Sequence, residues 1–163
     1  MSALAPQGAQ VAAHEMRKPR ERPAVVLEAI DAKLAAFTPG DDSGRGASEL
    51  LAYAERVLEL WVEARGDMPT HATREGFRLL ALHRQGARGL PSFNACRETC
   101  REIAYHYNLL IDDAGARSSQ RQMMMAMLVR HLELFVAGKM QNEGVGEFCC
   151  ASRPLRTESQ AEG

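Results

Sequence analysis

The chain has 163 residues, of which 45% are hydrophobic and 25% are charged, and its formal net charge at pH 7 is −1. This length suits a single domain, and the charge balance excludes the general attraction to nucleic acid or lipid that a strongly basic protein shows. No run of about 18 apolar residues is present, so the sequence predicts no membrane span. The N-terminal residues lack the order of a signal peptide, and we therefore expect a protein of the cytoplasm.

Apolar periodicity divides the chain into a bundle domain between two tails. Residues 1–22 combine Pro, Gly, Gln and Ala with a charged cluster and have no apolar period, which predicts a disordered N-terminal tail. Residues 23–142 repeat apolar positions at helical spacing, and residues 143–163 are expected to form a flexible C-terminal tail. Because no segment alternates with period two, we expect an all-α five-helix bundle with mostly antiparallel neighbours.

The first two helices are predicted on either side of a loop rich in Gly and Asp. The first extends from Pro23 to Phe37, because proline suits the first helical position. Residues 38–46 contain three glycines and a proline, which predicts a loop. The second helix then runs from a cap at Ser48 to Arg65 and has the clearest apolar face in the chain.

Three more helices are predicted after residue 69. They span 70–85, 92–111 and 118–140, with Thr70, Ser92 and Ser118 as their first residues. The fifth helix has a wide apolar arc, which we expect to lie mainly in the core and which is also a candidate surface for homo-oligomerisation. The arc contains Met124, Met127, Leu128, Leu132, Phe135 and Val136.

Charge is segregated along the middle of the chain. Residues 41–67 carry seven acids and three bases, a net charge of −4, whereas residues 70–101 carry six bases and two acids, a net charge of +4. All six bases of the second segment are arginines, which bind carboxylates and phosphates through two parallel hydrogen bonds. Either these arginines neutralise the acids of the second helix within the fold, or they face outward and bind an acidic partner.

No common catalytic or cofactor motif occurs in the sequence: it contains no phosphate-binding Gly-rich loop, no His-Glu-x-x-His and no Gly-x-Ser-x-Gly. We therefore expect no cofactor and favour a protein that is not an enzyme. The leading hypothesis is an accessory or regulatory protein that binds another macromolecule, in the first instance a protein, through an Arg-rich surface on the third and fourth helices. The candidate partner-binding residues are Arg74, Arg78, Arg84, Arg88, Asn94, Arg97 and Arg101.

A second hypothesis is a nucleic-acid-binding regulator with a helix-turn-helix-like unit over residues 70–111. The fourth helix would then present Asn94, Arg97, Thr99 and Arg101, residue types that contact base edges and phosphates. The turn over residues 86–92 is longer than the three or four residues usual in this motif, which weakens the hypothesis.

A third hypothesis is a thiol-based metal or redox sensor. Cys96 and Cys100 lie one helical turn apart. In this hypothesis they provide two of the four ligands of a zinc ion, and the candidates for the other ligands are His131 or the adjacent Cys149 and Cys150. His131 is expected near the middle of the apolar arc of the fifth helix. We favour the alternative that Cys96 and Cys100 are small buried hydrophobic residues, so no metal site is favoured.

Overall fold

In the computed structural model, residues 21–112 and 115–146 are described. They form five α-helices and a 3₁₀-helix between the third and fourth: α1 (Pro23–Ala35), α2 (Ser43–Ala64), α3 (Arg78–Gly86), the 3₁₀-helix (Pro91–Cys96), α4 (Arg97–Asp112) and α5 (Ser118–Glu143). These ranges contain no strand, so the predicted all-α class with five helices is confirmed. Most of the predicted tails lies outside the described residues, and the antiparallel order of neighbouring helices stays a prediction.

Helix α2 lies at the centre of the bundle and contacts each of the other four α-helices. Most of the apolar face predicted for it is fully buried, including Leu50, Val57 and Trp61, whereas Leu51 is partly buried. Removing such a face from water stabilises the fold by about 25 cal/mol per Å² of apolar surface. None of the helices in the described ranges is both long enough and apolar enough to cross a membrane.

Helix α2 begins at Ser43, so the predicted loop over residues 43–46 and the predicted cap at Ser48 are wrong. The cap is Asp42, whose side chain accepts a hydrogen bond from the backbone N–H of Arg45 at 3.0 Å. Gly46 is part of the helix, and a glycine suits this position because α5 lies close to it. A Cβ here would be 2.5 Å from Oε1 of Gln122. Gly46, which suggests a loop when the sequence is read alone, instead allows α2 and α5 to pack closely.

Helix α3 begins at Arg78, so the first half of the predicted third helix is wrong. Arg74 and Phe77 pair through two backbone hydrogen bonds of 3.0 and 2.9 Å. Between them, Glu75 and Gly76 have φ angles of +53° and +82°. This left-handed conformation forms a tight turn and is incompatible with a continuous right-handed helix.

The chain enters α4 through a 3₁₀-helix, so the predicted α-helical start at Ser92 is also wrong. Phe93, in the 3₁₀-helix, stacks on Trp61 of α2 with ring centroids 4.7 Å apart and ring planes 5° apart. The tighter winding of a 3₁₀-helix changes the direction of successive side chains, and it precedes a regular α-helix that begins at Arg97.

The apolar arc predicted for α5 is only partly buried. Leu132 and Val136 lie in the core, as does the neighbouring Met125. Met124 and Met127 are 43% and 58% exposed, and the predicted burial of His131 is wrong because this residue is also exposed. Helix α5 contacts α1, α2 and α4, and these three neighbours leave part of the arc in water.

The stacked rings of Trp61 and Phe93 lie against Gly86, the last residue of α3. Nε1 of Trp61 donates to the carbonyl of Gly86 at 3.0 Å, and Nη1 of Arg65 donates to the same oxygen at 2.8 Å. A Cβ at Gly86 would lie 2.7 Å from Cδ1 of Trp61 and 3.1 Å from Cε1 of Phe93, closer than ordinary contacts. These three residues, Trp61, Gly86 and Phe93, are termed the tryptophan junction.

We expect Gly86→Ala to lower the free energy of unfolding by about 1–3 kcal/mol, because the added methyl group forces the stacked rings apart. Urea denaturation followed by far-ultraviolet circular dichroism measures the change. Gly138→Ala in α5 is the matched control: a Cβ there meets nothing within 4 Å, so alanine should stabilise the helix by up to about 1 kcal/mol. Equal effects of the two substitutions would show that the junction does not require glycine.

Glu133 places a carboxyl group in the core beside α1. The residue is 3% exposed, and its Oε2 has no hydrogen-bond partner among the described residues. Burial, and then the nearby Asp31 carboxylate, raise the pKa of Glu133 to about 7, although Arg130 acts in the opposite direction. The folded protein therefore holds a proton on Glu133 at pH values where the unfolded chain, with a pKa near 4.5, has released it.

Stability should fall as the pH rises from about 4.5 to about 7, because in this range the folded state binds one more proton than the unfolded state. Glu133→Gln removes the ionisation, so we expect its Tm to exceed that of the natural protein at about pH 8 and to match it at about pH 4. Thermal denaturation at both pH values tests this, with the exposed Glu28→Gln as the control. A Tm difference that does not depend on pH would refute the assignment.

Candidate functional site

Three segments near the tryptophan junction bring the predicted arginines together. The tight turn supplies Arg74. Arg84 is in the last turn of α3, and Arg88 lies two residues after the end of this helix. The start of α4 supplies Arg97 and Arg101, which are one helical turn apart and share a face of the helix. The late start of α3 and the 3₁₀-helix are therefore the two local features that shape the site.

The five arginines line a cavity of about 400 Å³, termed the arginine pocket. Its lining contains no acidic residue and includes six of the seven residues that the sequence proposed for partner binding. Arg78 is the one that lies elsewhere. The full lining is Arg74, Leu80, His83, Arg84, Ala87, Arg88, Asn94, Arg97 and Arg101.

Most of the positive charge in the arginine pocket is not neutralised by the fold. Within residues 21–112 and 115–146, four of the five guanidinium groups have neither a hydrogen bond nor an ion pair, and these four residues are exposed: Arg74, Arg84, Arg88 and Arg97. Arg101 is half-buried, and its Nη2 lies 3.3 Å from both carboxylate oxygens of Glu75. The pocket therefore concentrates positive charge that is mostly not neutralised by acidic residues of the described ranges.

Arg78 instead forms ion pairs with acids of α2. This is the role that the first of the two interpretations of the sequence assigned to every arginine of the segment. Its Nη1 donates to Glu59 and lies 4.0 Å from Glu55, and its Nε donates to the carbonyl of Thr70 at 2.8 Å. The residue is half-buried between α2 and the segment before α3. The Arg-rich stretch thus divides into one structural arginine and five that line the pocket.

His83 lies between the arginine pocket and the core. It lines the pocket, yet it is only 5% exposed, and its Nε2 lies within 3.4 Å of the carbonyl of Phe93, to which it donates. Its ring also stacks on Phe93, with centroids 5.7 Å apart. The pocket is therefore held in position by the same aromatic residue that stacks on Trp61.

Cys96 and Cys100 are buried free thiols directly behind this histidine. The hydrogen bond between the two sulfurs stabilises the Cys96 thiolate and lowers its pKa to about 6, helped by His83 and opposed by burial. That hydrogen bond, together with burial, raises the pKa of Cys100 well above its ordinary value. In its protonated form, Cys96 donates to the carbonyl of Phe93 at 3.3 Å.

We expect the folded protein to contain one thiolate that titrates near pH 6, because Cys100 donates to the sulfur of Cys96. The ultraviolet absorbance of the thiolate as a function of pH measures this, and Cys96→Ser should remove the transition. Cys100→Ala removes the donor and should move the transition toward the ordinary value of 9.0. A thiolate band that is absent below about pH 8 in the natural protein would contradict the assignment.

The structure does not bring together the ligands of the metal-sensor hypothesis. Cys96 and Cys100 are buried, whereas His131 is exposed on α5, and Cys149 and Cys150 lie outside the described residues. No group of three or more His, Cys, Asp and Glu residues in the described part of the chain has the arrangement of a metal site. The histidine next to the thiols is His83.

Two further cavities adjoin the arginine pocket on different sides. The first, of about 540 Å³, is termed the threonine cavity, and its lining includes Thr70, Thr73, Gln85 and the shared Arg74, Arg84 and Arg88. The second, of about 280 Å³, is termed the tyrosine cavity; it shares Leu80 and Arg101 with the pocket and is further lined by Glu75, Phe77, Ala104, Tyr105 and Asn108. The arginine pocket shares lining residues with each of these cavities, which share none with each other, and the three cavities are together termed the groove.

The sequence did not indicate two residues that lie beside the arginine pocket, Glu75 and Tyr105. Glu75 pairs with Arg101 because the tight turn brings it to α4, and the only sequence signal of that turn is the Glu75–Gly76 dipeptide. Tyr105 is 61% exposed although it is aromatic, and its position on α4 beside the pocket depends on how the helices pack.

Comparison of the chain with family models, with curated proteins and with solved structures finds no match in any of the three.

Proposed function

We propose that this protein is a non-enzymatic accessory protein that binds an anionic segment of a macromolecular partner in the arginine pocket. The observation that carries the proposal is that five guanidinium groups line one cavity of about 400 Å³ and that four of them have no acidic partner in the described ranges. Like charges held close together repel one another, by about 1 kcal/mol at 4 Å even in water. An anion in the pocket would remove this repulsion and form charge-assisted hydrogen bonds.

The chemistry of the lining favours binding over catalysis. Besides the arginines, the polar residues of the pocket are Asn94 and His83, and neither a hydroxyl nor a carboxyl group is part of its lining. His83 is oriented by its hydrogen bond to the Phe93 carbonyl and lies almost entirely below the surface. The pocket therefore offers groups that neutralise and orient an anion, without a side chain suited to attack it.

A protein partner is favoured over duplex nucleic acid by the acidic residues of α4. Glu98 and Glu102 are exposed on the same helix as Arg97 and Arg101. A duplex lying along α4 would bring its phosphates close to these two carboxylates. The nucleic-acid candidate is kept because Asn94, in the 3₁₀-helix, and Arg97, the first residue of α4, are both exposed, as are the first residues of a recognition helix. A cytoplasmic location and homo-oligomerisation stay predictions from the sequence.

We expect the double variant Arg84→Glu/Arg97→Glu to weaken the binding of a fluorescent Glu-rich peptide at least about tenfold, because it replaces two attractive charges by two repulsive ones. Neither side chain has a partner within the described part of the fold, so the fold should be unaffected. Fluorescence anisotropy measures the affinity, which should also fall as salt is added.

The matched control is Arg45→Glu/Arg117→Glu, which changes the net charge equally at two exposed arginines outside the pocket. If both double variants lose the same affinity, the pocket is not the binding site. A parallel titration with duplex DNA tests the second candidate. Tighter binding of DNA than of the Glu-rich peptide, abolished by Arg84→Glu/Arg97→Glu, would replace the protein-partner proposal by the nucleic-acid one.

A further inference from the structure

The distribution of charge along the groove indicates the form of its ligand. All five arginines line the central pocket, and that lining has no acid. Beyond the residues shared with the pocket, the lining of the threonine cavity is uncharged. On the other side, the only charged residue that the tyrosine cavity adds is Glu75. Three of the arginines, Arg74, Arg84 and Arg88, also line the threonine cavity, whereas the tyrosine cavity has only Arg101, which is paired with Glu75. The complementary ligand is therefore a chain whose negative charge is greatest in the arginine pocket and which has no acidic group in the tyrosine cavity.

This distribution distinguishes three anionic ligands. A single-stranded nucleic acid carries one negative charge on every nucleotide, so a strand that crosses all three cavities would also place a phosphate in the tyrosine cavity, beside the carboxylate of Glu75. A free inorganic anion would use the arginine pocket and leave both flanking cavities unoccupied. A phosphorylated peptide carries a charge of about −1.5 to −2 and three strong acceptor oxygens at one side chain, and its neighbouring residues follow in extended form.

The two flanking cavities differ in a way that suits a peptide. The tyrosine cavity has apolar and aromatic walls, from Phe77, Leu80 and the largely exposed Tyr105, which would contact an apolar side chain. The threonine cavity has hydroxyl groups from Thr70 and Thr73, which can hydrogen-bond a peptide backbone. A chain that crosses all three cavities would meet apolar, cationic and polar surfaces in turn.

Glu75 already places one carboxylate on the edge of the arginine pocket. Both of its oxygens lie 3.3 Å from Nη2 of Arg101, and its backbone has a left-handed φ of +53°, the only such residue other than glycine in the described ranges. A non-glycine residue in this conformation is strained, which is more common at functional positions. The carboxylate therefore occupies the position that an anion from a ligand would take beside Arg101.

On the basis of the proposed function, we infer that the ligand of the groove is a phosphorylated segment of a partner protein. Its phosphate group enters the arginine pocket and displaces Glu75 from Arg101, and its flanking residues occupy the threonine and tyrosine cavities. Five guanidinium groups provide more donors than a single carboxylate can accept, and they match the three oxygens and the higher charge of a phosphate monoester. The site should therefore prefer a phosphorylated residue to glutamate.

Degenerate peptide libraries test this inference, with the central residue fixed as phosphoserine or phosphotyrosine, as Glu, or as unmodified Ser. We expect the full-length protein to bind a phosphorylated library at least about tenfold more tightly than the Glu library. Arg97→Lys keeps the charge but loses the two parallel hydrogen bonds, so it should weaken phosphopeptide binding about tenfold and Glu-peptide binding much less. Arg45→Lys, outside the pocket, is the control.

Each other outcome contradicts a defined part of the inference. Equal binding of the Glu and phosphorylated libraries would overturn the inference while leaving the proposed function intact, whereas no binding of any anionic library would overturn both. Inorganic pyrophosphate that binds as tightly as the phosphopeptides would show that the flanking cavities are not used. Tighter binding of a single-stranded oligonucleotide than of the phosphopeptides would assign the groove to nucleic acid.

Glu75→Gln tests the displacement separately, because it keeps the size of the side chain and removes its charge. Loss of the competing carboxylate should tighten phosphopeptide binding about two- to fivefold. The exposed Glu98→Gln on α4, which does not line the pocket, should have a smaller effect. Unchanged or weaker binding by Glu75→Gln would show that Glu75 does not compete with the ligand for Arg101.

Discussion

The contact between Trp61, Gly86 and Phe93 determines the geometry on which the rest of the structure depends. The stacked rings join the central helix α2 to the 3₁₀-helix, and the hydrogen bond from Trp61 to the Gly86 carbonyl joins α2 to the end of α3. Arg65, whose guanidinium lies 5.5 Å from the Trp61 ring, also donates to the carbonyl of Arg88 at 3.1 Å. The end of α3 and the start of α4, the two regions that supply four of the five pocket arginines, therefore lie next to this contact in the chain.

The sequence predicts the fold where periodicity alone decides it, and it fails where tertiary contacts decide. The buried face of α2 follows from spacing, and the same reasoning identifies all five helices. It fails at Gly46, because the adjacent Gln122 is distant in sequence. It fails again at Glu75 and Gly76, because the apolar residues that follow, including Phe77 and Leu79, suggest a helix whose first half the left-handed φ angles exclude. Exposure of Met124 and Met127 depends on which neighbours α5 has.

The site is predictable as a set of residue types but not as an arrangement. Counting arginines identifies the basic segment, whereas the division between Arg78 and the five pocket residues depends on the start of α3. Arg78, at its first position, lies beside Glu55 and Glu59 of α2. Likewise, the sequence selected His131 as the histidine near the thiols, but the packing of α3 on the 3₁₀-helix places His83 there. Both results require distances between segments, which spacing does not contain.

A protein with a net charge of −1 has four arginines in one pocket that are unpaired within the described residues, while several of its acids form ion pairs elsewhere. On α2, Glu59 and Glu63 lie 3.0 and 3.3 Å from Nη1 of Arg56, and Glu59 is also bound by Arg78. These contacts pair acids of α2 with Arg56 and Arg78, neither of which lines the arginine pocket. Among the described residues, the carboxylate that pairs with a pocket arginine is that of Glu75, on the tight turn. Glu98 and Glu102 are on α4 as well, but they are exposed and form no ion pair with the pocket arginines in these ranges. The ion pairs of α2 and the unpaired guanidinium groups of the pocket thus involve different residues, and this difference supports the proposal that the arginine pocket binds an anion.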